Sequence, residues 1–390
     1  MLSESAWDRR SVRRQLIADA NAHFGHACPL VIDESAVAKK GEMSAGVARQ
    51  WNGRLGKTDN SQVGVFAAMV RDGVSALIDG ELYIPEEWFA DPERCRDAGI
   101  PEDREFLSKG EMALAMIHRL RREGLRFAYT VFDAGYGHLP WLLRALEGER
   151  ETFLAEVHSD QTIYLTDPAP VVPERSSPRG KSPSRLQAQT APLTVAAWAA
   201  AQPSSRWRRM SVREGEKGLV MADYLKQRVW LWDGVEQRAH CWHLLVRREI
   251  DGSKLKFCLS NAKAEANLRQ LAEMQAARHF VERAFEDAKG ACGMADYQVR
   301  GFNAWHHHMA LVMVALMFLA KERLAHRETA SLLSCNDLVE IMRHKLPCKI
   351  ESDDDLVAAI EDRHRRRRIA MNHAYQKQAL MLGSSVCGGI

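Results

Sequence analysis

Phe127-Ala128-Tyr129-Thr130-Val131-Phe132-Asp133-Ala134-Gly135-Tyr136-Gly137 is an apolar run that stops at an acid and passes into a glycine-punctuated turn. Its first six residues read as a buried strand. Just upstream, Lys109 to Arg122 repeats apolar residues at helical spacing, and Gly124 ends that helix. A strand reached through a helix predicts a crossover to a position parallel to, and beside, an earlier strand. The earlier strand is Cys28-Pro29-Leu30-Val31-Ile32, which comes after an amphipathic helix from about Ser5 to His23 and ends in Asp33-Glu34-Ser35. Side by side and parallel, the two runs place Asp33 and Asp133 at one edge of a sheet. Gln62 to Ala67 and Ala76 to Ile84 read as two further strands, antiparallel neighbours of the first. The fold class is α/β.

For either aspartate alone the ordinary explanation is strong, because Asp is a common cap or turn residue where a strand ends. A third acid adds weight. Arg278-His279-Phe280-Val281-Glu282-Arg283-Ala284-Phe285-Glu286-Asp287-Ala288-Lys289 reads as one helix. Val281, Ala284, Phe285 and Ala288 form its apolar stripe, and Arg278, Glu282, Glu286 and Lys289 fall on a neighbouring face. Taken alone, that face is a solvated row of ion pairs, each stabilising the helix by about 0.2–0.5 kcal/mol. In company with two strand-end aspartates it supplies a third carboxylate.

Composition bounds the rest. The 390 residues are 46% hydrophobic and 27% charged, which describes a folded chain long enough for two or three domains. A net charge of +3 means that affinity for nucleic acid has to come from local patches. The eight cysteines form no C-x-x-C pair, which fits reduced thiols and argues against a structural zinc site. The start of the chain has neither the apolar core of a signal peptide nor a transit-peptide bias, and the expected location is the cytoplasm. Met309 to Ala320 is too short an apolar run to cross a bilayer and reads as a buried core helix, so no membrane is expected as a partner. The consecutive His306, His307 and His308 point in different directions on a helix and cannot converge on one metal.

From Asp167 to Thr190 the chain is rich in Pro, Ser, Arg and Lys, as exposed linkers are. Tyr224 to Trp232, a turn at Asp233-Gly234, Ala239 to Val246, a turn at Asp251-Gly252 and Leu255 to Leu259 then read as a β-meander interrupting the α/β unit. Alternation puts Trp230 and Trp232 on one face. Such a pair serves either as the core of a small sheet or as a stacking platform for bases. Basic, glycine-punctuated loops carry Lys39, Lys40 and Arg49, and Arg365, Arg366, Arg367 and Arg368 belong to the densest positive cluster in the chain. Both are candidate phosphate-binding patches.

Three carboxylates of this kind suit phosphodiester cleavage with two Mg2+ (or Mn2+) ions, which need hard oxygen ligands and open positions for water and the scissile phosphate. Asp33, Asp133 and Glu282 would hold two ions about 3.5–4 Å apart. Arg278 and Lys289, on the helix that carries Glu282, would contact DNA phosphates beside them.

The order of these elements, an acid-tipped strand, Val131-Phe132-Asp133-Ala134-Gly135-Tyr136-Gly137, a β insertion, and Arg278-(x3)-Glu282-(x6)-Lys289, resembles the DDE transposases of bacterial insertion sequences. More narrowly, Lys39-Lys40-Gly41 with Gly46 to Gln50, and Tyr297-Gln298-Val299-Arg300 with Trp305 to His308, resemble insertion-sequence family seven-oh-one over about Trp7 to Lys321. The resemblance implies an RNase H-like catalytic core, a mixed sheet flanked by helices, with Asp33, Asp133 and Glu282 as the acidic triad. It implies residues 1–166 and 263–325 as the two parts of that core, 167–262 as linker and β-rich insertion, and 326–390 as a helical, basic C-terminal region. Its partner would be double-stranded DNA, the element's ends and its target, bound by a homodimer. Two departures are visible: Gln275 stands three residues before Arg278, where the wider signature has Tyr, and Asp33 comes early, without the helical DNA-binding region that usually precedes the first acid. Two other readings stay open, a DNA-binding remnant that inhibits transposition and an unrelated α/β enzyme whose acids are caps.

Overall fold

Apolar runs become neighbours here in an order set by which backbone edges each leaves unpaired. The computed structural model describes residues 7–53, 55–174, 183–215, 218–346 and 352–384. Residues 1–335 form one compact unit and residues 336–390 a second. The first begins with α1 (Arg9–His23), capped by Asp8, whose carboxylate accepts from the Arg10 amide. Then come β1 (Leu30–Ala38), β2 (Ala48–Asn52), β3 (Lys57–Arg71) and β4 (Val74–Leu82). β3 is antiparallel to β1 along one edge and to β2 and β4 along the other. The fourth strand is therefore a neighbour of β3, not of β1.

After the short α2 (Pro92–Asp97), α3 (Lys109–Arg122) starts from a capping box in which Ser108 and Glu111 satisfy each other's backbone amides. It buries Met112, Ala113, Met116, Ile117 and Leu120, an i, i+3, i+4 stripe. Gly124, at φ +92°, turns the chain out of the helix. β5 (Thr130–Phe132) then lies parallel to β1 with Ile32 opposite Phe132, so Asp33 and Asp133 come directly after paired residues on adjacent strands. α4 (Ala134–Gly137), α5 (Pro140–Gly148) and β6 (Phe153–Val157) come next, with β6 parallel to β5.

β7 (Thr162–Ile163) and β8 (Leu193–Thr194) make a small separate pair, succeeded by α6 (Val195–Ala200). The β-rich stretch supplies β9 (Arg208–Gly215), β10 (Gly218–Leu231), β11 (His240–Glu249) and β12 (Leu255–Ser260), with Gly234 and Gly252 at positive φ in the two expected turns. These strands continue the central sheet. β12 pairs antiparallel with β6, Ser260 opposite Leu154 and Phe257 opposite Val157. The edge that β6 would otherwise expose is thereby satisfied, and the result is one mixed ten-stranded sheet in the order β2-β3-β1-β5-β6-β12-β11-β10-β9, with β4 on β3.

Helices flank the sheet. α7 (Leu268–Ala277) and α8 (His279–Ala291) precede α9 (Phe302–Ala325), which contains the predicted core run and packs on β4 and α1. Asp79 of β4 is buried and Glu81 largely so, and each has its cation: Arg119 Nη2 lies 2.7 Å from Asp79, Arg104 Nη1 2.8 Å from Glu81, and His306 Nε2 3.2 Å from Glu81. Such pairs tie α3 and α9 to the strand, because a buried carboxylate without a partner is strongly destabilising. Among the described residues, no helix is long and apolar enough to cross a membrane. In the second unit, α10 (Cys335–Lys345) enters from the boundary, and α11 (Asp353–Ser384) carries the arginine cluster.

One close approach fixes α4 against the sheet. A Cβ added to Gly137 would lie 1.8 Å from the Glu156 carbonyl oxygen, so α4 rests directly on the backbone of β6. Gly137→Ala is expected to destabilise the protein by about 1–3 kcal/mol through overpacking. Gly148→Ala, at the end of α5 with nothing within 4 Å, is expected to be neutral or mildly stabilising. Urea unfolding followed by tryptophan fluorescence checks this, and equal midpoints for the two variants would refute the close packing of α4 on β6.

Candidate active site

The parallel pairing of β1 and β5 brings the two aspartates together. β1 does not stop at its acid: the strand runs through Asp33 to Ala38 because β3 supplies partners along that whole length. The Asp33 carboxylate accepts from the Glu34 amide at 2.7 Å, and its side chain is only 14% exposed. Burial raises its pKa to about 7; Arg278 opposes the shift and the Asp133 carboxylate adds to it. Asp133 is indeed a cap, accepting from the Gly135 amide at 2.9 Å at the start of α4. Capping leaves its other oxygen to face the site, and the side chain is 30% exposed.

The predicted helix is α8, and Arg278, its expected first residue, is the junction between α7 and α8. There the backbone bonds tighten to three-residue spacing, Arg278 N to Gln275 O and Val281 N to Arg278 O, both 3.3 Å. The expected i,i+4 pair of Arg278 with Glu282 forms, at 2.6 Å, and the rest of the row finds other partners. Glu286 pairs with Arg283 at 3.1 Å, and Lys289 Nζ lies 5.9 Å from the Phe285 ring centre.

Arg278 turns its guanidinium inward, toward carboxylates. Nη2 lies 3.8 Å from Asp33 Oδ2 and 3.9 Å from Asp133 Oδ2, Nε lies 3.8 Å from Glu156 Oε2, and Nη1 donates to Glu282 Oε1 at 2.6 Å. Burial disfavours its charge, but Glu156, Asp33, Glu282 and Asp133 more than offset that and raise its pKa. The three acids singled out in the sequence thus meet around one cation. Glu282 is the exposed member, at 51%.

A fourth acid, Glu156 on β6, is not among the candidates that the sequence offers. It is 13% exposed, held by Lys256 Nζ of β12 at 3.0 Å, and approached by Gln275 Nε2 at 3.5 Å. The available signal was an acid inside the apolar run Phe153-Leu154-Ala155-Glu156-Val157. Gln275, buried where the wider signature has Tyr, reaches this carboxylate from α7. Arg213 of β9 adds positive potential near the site: it helps to lower the pKa of His279, after burial.

The remaining candidates are dispersed. Lys39 donates to the Tyr297 carbonyl at 3.1 Å and sits 4.3 Å over that ring, while Lys40 and Arg49 are exposed. Trp230 is half-buried, and its backbone is paired with Tyr164 in both directions. Trp232 lies one residue past β10, donates its indole N–H to the Glu236 carbonyl at 2.7 Å, and lines a small cavity with Arg144, His240 and Trp242. Arg365, Arg367 and Arg368 are exposed on α11, Arg365 pairing with Asp362; the side chain of Arg366 lies outside the described residues. The three histidines diverge: His306 faces Glu81, His307 stacks on Trp7 at 4.2 Å, and His308 reaches the Gly293 carbonyl.

The carboxylates are hard oxygen donors of the kind Mg2+ prefers. Among the described residues no three carboxylate, imidazole or thiolate groups converge ready for a metal, and the Arg278 guanidinium stands between the acids. The donor chemistry fits a divalent cation, and the cation in place is an arginine.

Comparison with known proteins gives the family. Over 139 residues the chain is 32% identical to a probable transposase for insertion sequence element IS701 from Microchaete diplosiphon, an alignment covering 35% of this chain and 33% of that protein. The chain thus spans about a third of that relative's length. A cryo-EM structure of the piggyBac transposase synaptic complex with hairpin DNA aligns over 84% of this chain and 59% of its own, at 13% identity and a TM-score of 0.38, too distant to bear on the fold. The family model described as DDE superfamily endonuclease matches residues 1–219, more than half of the sequence, and the chain belongs to that family.

Proposed function

We propose that this protein is a DNA transposase that cuts and rejoins strands at the ends of an insertion sequence, with Asp33, Asp133 and Glu282 as the metal-holding acids of an RNase H-like core. The observation that carries this reading is the meeting of three carboxylates from β1, β5 and α8 around one guanidinium, on a chain of the DDE superfamily endonucleases. Two Mg2+ (or Mn2+) ions, when bound, would activate the attacking water or 3′-hydroxyl and stabilise the leaving oxygen. The chain's own part is to hold the acids in place. Asp33 and Asp133 are fixed by paired parallel strands, Asp133 also by its cap bond, and Glu282 by the first turn of α8.

Substrate binding is a separate matter of phosphates. Lys39, Lys40, Arg49, Lys289 and Arg365 to Arg368 are the proposed backbone contacts, and Trp230 and Trp232 the proposed stacking residues for an unpaired base near the cleaved end. The double-stranded substrate would be held by a homodimer acting in the cytoplasm, as the resemblance implies.

Asp33→Asn, Asp133→Asn and Glu282→Gln are each expected to reduce Mg2+-dependent strand cleavage to background while DNA binding stays near the wild-type level, because affinity comes from Lys and Arg on phosphates. Plasmid nicking and gel-shift assays read the two properties. Substantial cleavage by any one of the three would sink the triad.

A metal-free pH series tests the burial of Asp33 independently. Its pKa is raised from 3.8 to about 7, so folding is penalised once the group ionises, a penalty absent below pH 4 and complete above about pH 7. Asp33→Asn should therefore match the wild type near pH 4 and gain steadily on it up to neutrality, by at most about 4 kcal/mol. Chemical denaturation in chelator-treated buffer measures it. A constant difference across this range would show that the Asp33 carboxyl is not desolvated in the folded protein.

A further inference from the structure

We propose that Arg278 is a built-in counter-ion that keeps the carboxylate cluster closed to cations, and that a divalent cation binds by displacing its guanidinium from Asp33, Asp133 and Glu156. This rests on the reading that Asp33 and Asp133 hold the ion.

The geometry around Arg278 is that of a placeholder. Three of its four carboxylates stand at 3.8–3.9 Å, beyond hydrogen-bond range, and only Glu282 is bonded, at 2.6 Å. Its Nε is buried without a hydrogen-bond partner. A guanidinium fork prefers bidentate pairing, two parallel bonds to one carboxylate. This protein builds such pairs where an arginine is structural: Arg121 donates to both oxygens of Glu151 at 2.6 and 2.7 Å, and Arg13 donates to both oxygens of Glu123. Arg278 instead spreads one charge over four acids and satisfies none bidentately.

Removal of that charge has to be compensated. Arg278 lies within 4 Å of all four carboxylates, whereas Lys256 pairs with Glu156 and His279 approaches Glu282 at 3.9 Å. Like charges crowded in a partly buried site repel strongly, so an unoccupied cluster without Arg278 would be costly. A divalent cation would supply the same compensation with more charge. The exit is also visible: Glu282, the one tightly held partner, is half exposed, while the side chains of Asp33 and Glu156 are only 14% and 13% exposed, so the guanidinium leaves past Glu282. Once displaced, it is available to a phosphate diester, the bidentate partner that the proposed substrate offers.

The test uses the full chain without DNA and Mn2+ as the probe. Free Mn2+ is followed by electron paramagnetic resonance for wild type, Arg278→Gln, and both proteins carrying Asp33→Asn. Arg278→Gln should bind Mn2+ about tenfold or more tightly than wild type, equivalent to about 1.4 kcal/mol. Unchanged or weaker binding would overturn the proposal. Loss of a positive charge could tighten binding without any displacement, so a second measurement decides. Phenylglyoxal modification of Arg278 in the wild-type chain, located by peptide mass mapping, should rise several-fold when Mn2+ is added. Unchanged or reduced labelling would overturn displacement even if Arg278→Gln tightened binding, and this arm stands if that variant fails to fold. Asp33→Asn separates the two layers: Mn2+ affinity unaffected by it defeats the metal-site reading, whereas affinity abolished by it with no rise in labelling defeats the displacement alone.

Discussion

Four carboxylates cannot share a half-buried site unless a cation stands among them, and that requirement organises the centre of this protein. Arg278 meets Asp33, Asp133, Glu156 and Glu282, which arrive from β1, β5, β6 and α8. Each element is placed by something else. The two parallel strands are set by backbone pairing, the α4 turn by the contact of Gly137 with β6, and the helices by their buried stripes. The site is where these independent constraints intersect. A change in any of them moves charges whose mutual repulsion is severe at low dielectric.

The long sheet extends that logic. Because β12 pairs with β6, the β-rich arm is attached directly beside the strand that carries Glu156, and Lys256 of β12 reaches that carboxylate. A segment that reads as an insertion thus contributes a cation to the acid cluster. This is a physical reason for joining the meander to the core sheet: the acids need cations that the parallel strands, apolar and buried on both faces, cannot supply.

A second group of charges lies on β4, where Asp79 and Glu81 are paired with Arg119, Arg104 and His306. These pairs are close and hydrogen-bonded, as buried structural charges must be, whereas three of the four separations around Arg278 exceed hydrogen-bond length. Tight pairing holds helices to a strand, and the looser caging of Arg278 is what the proposed exchange with a divalent cation rests on.

Local sequence alone determined a good deal. Apolar runs that end at Asp33 and Asp133, with an amphipathic helix between them, were enough to predict parallel neighbours and a shared edge, because strand pairing and crossover geometry allow few alternatives. The apolar stripe of α8, the turns at Gly234 and Gly252 and the core helix within α9 were equally legible, since periodicity and positive-φ glycines are local signals. Only the tertiary structure decided the rest. Arg278 pairs with Glu282 as helical spacing predicts, but its approach to Asp33, Asp133 and Glu156 comes from strands distant in the chain. Glu156 joins the site because β6 pairs with β5 and β12 at a particular register. Lys39, exposed and basic by its sequence, is engaged by Tyr297 from a segment far along the chain. A residue's spacing tells which neighbours along the chain share its face; which charge lies across from it is set by long-range packing, and the chemistry of this site consists of charges that lie across from one another.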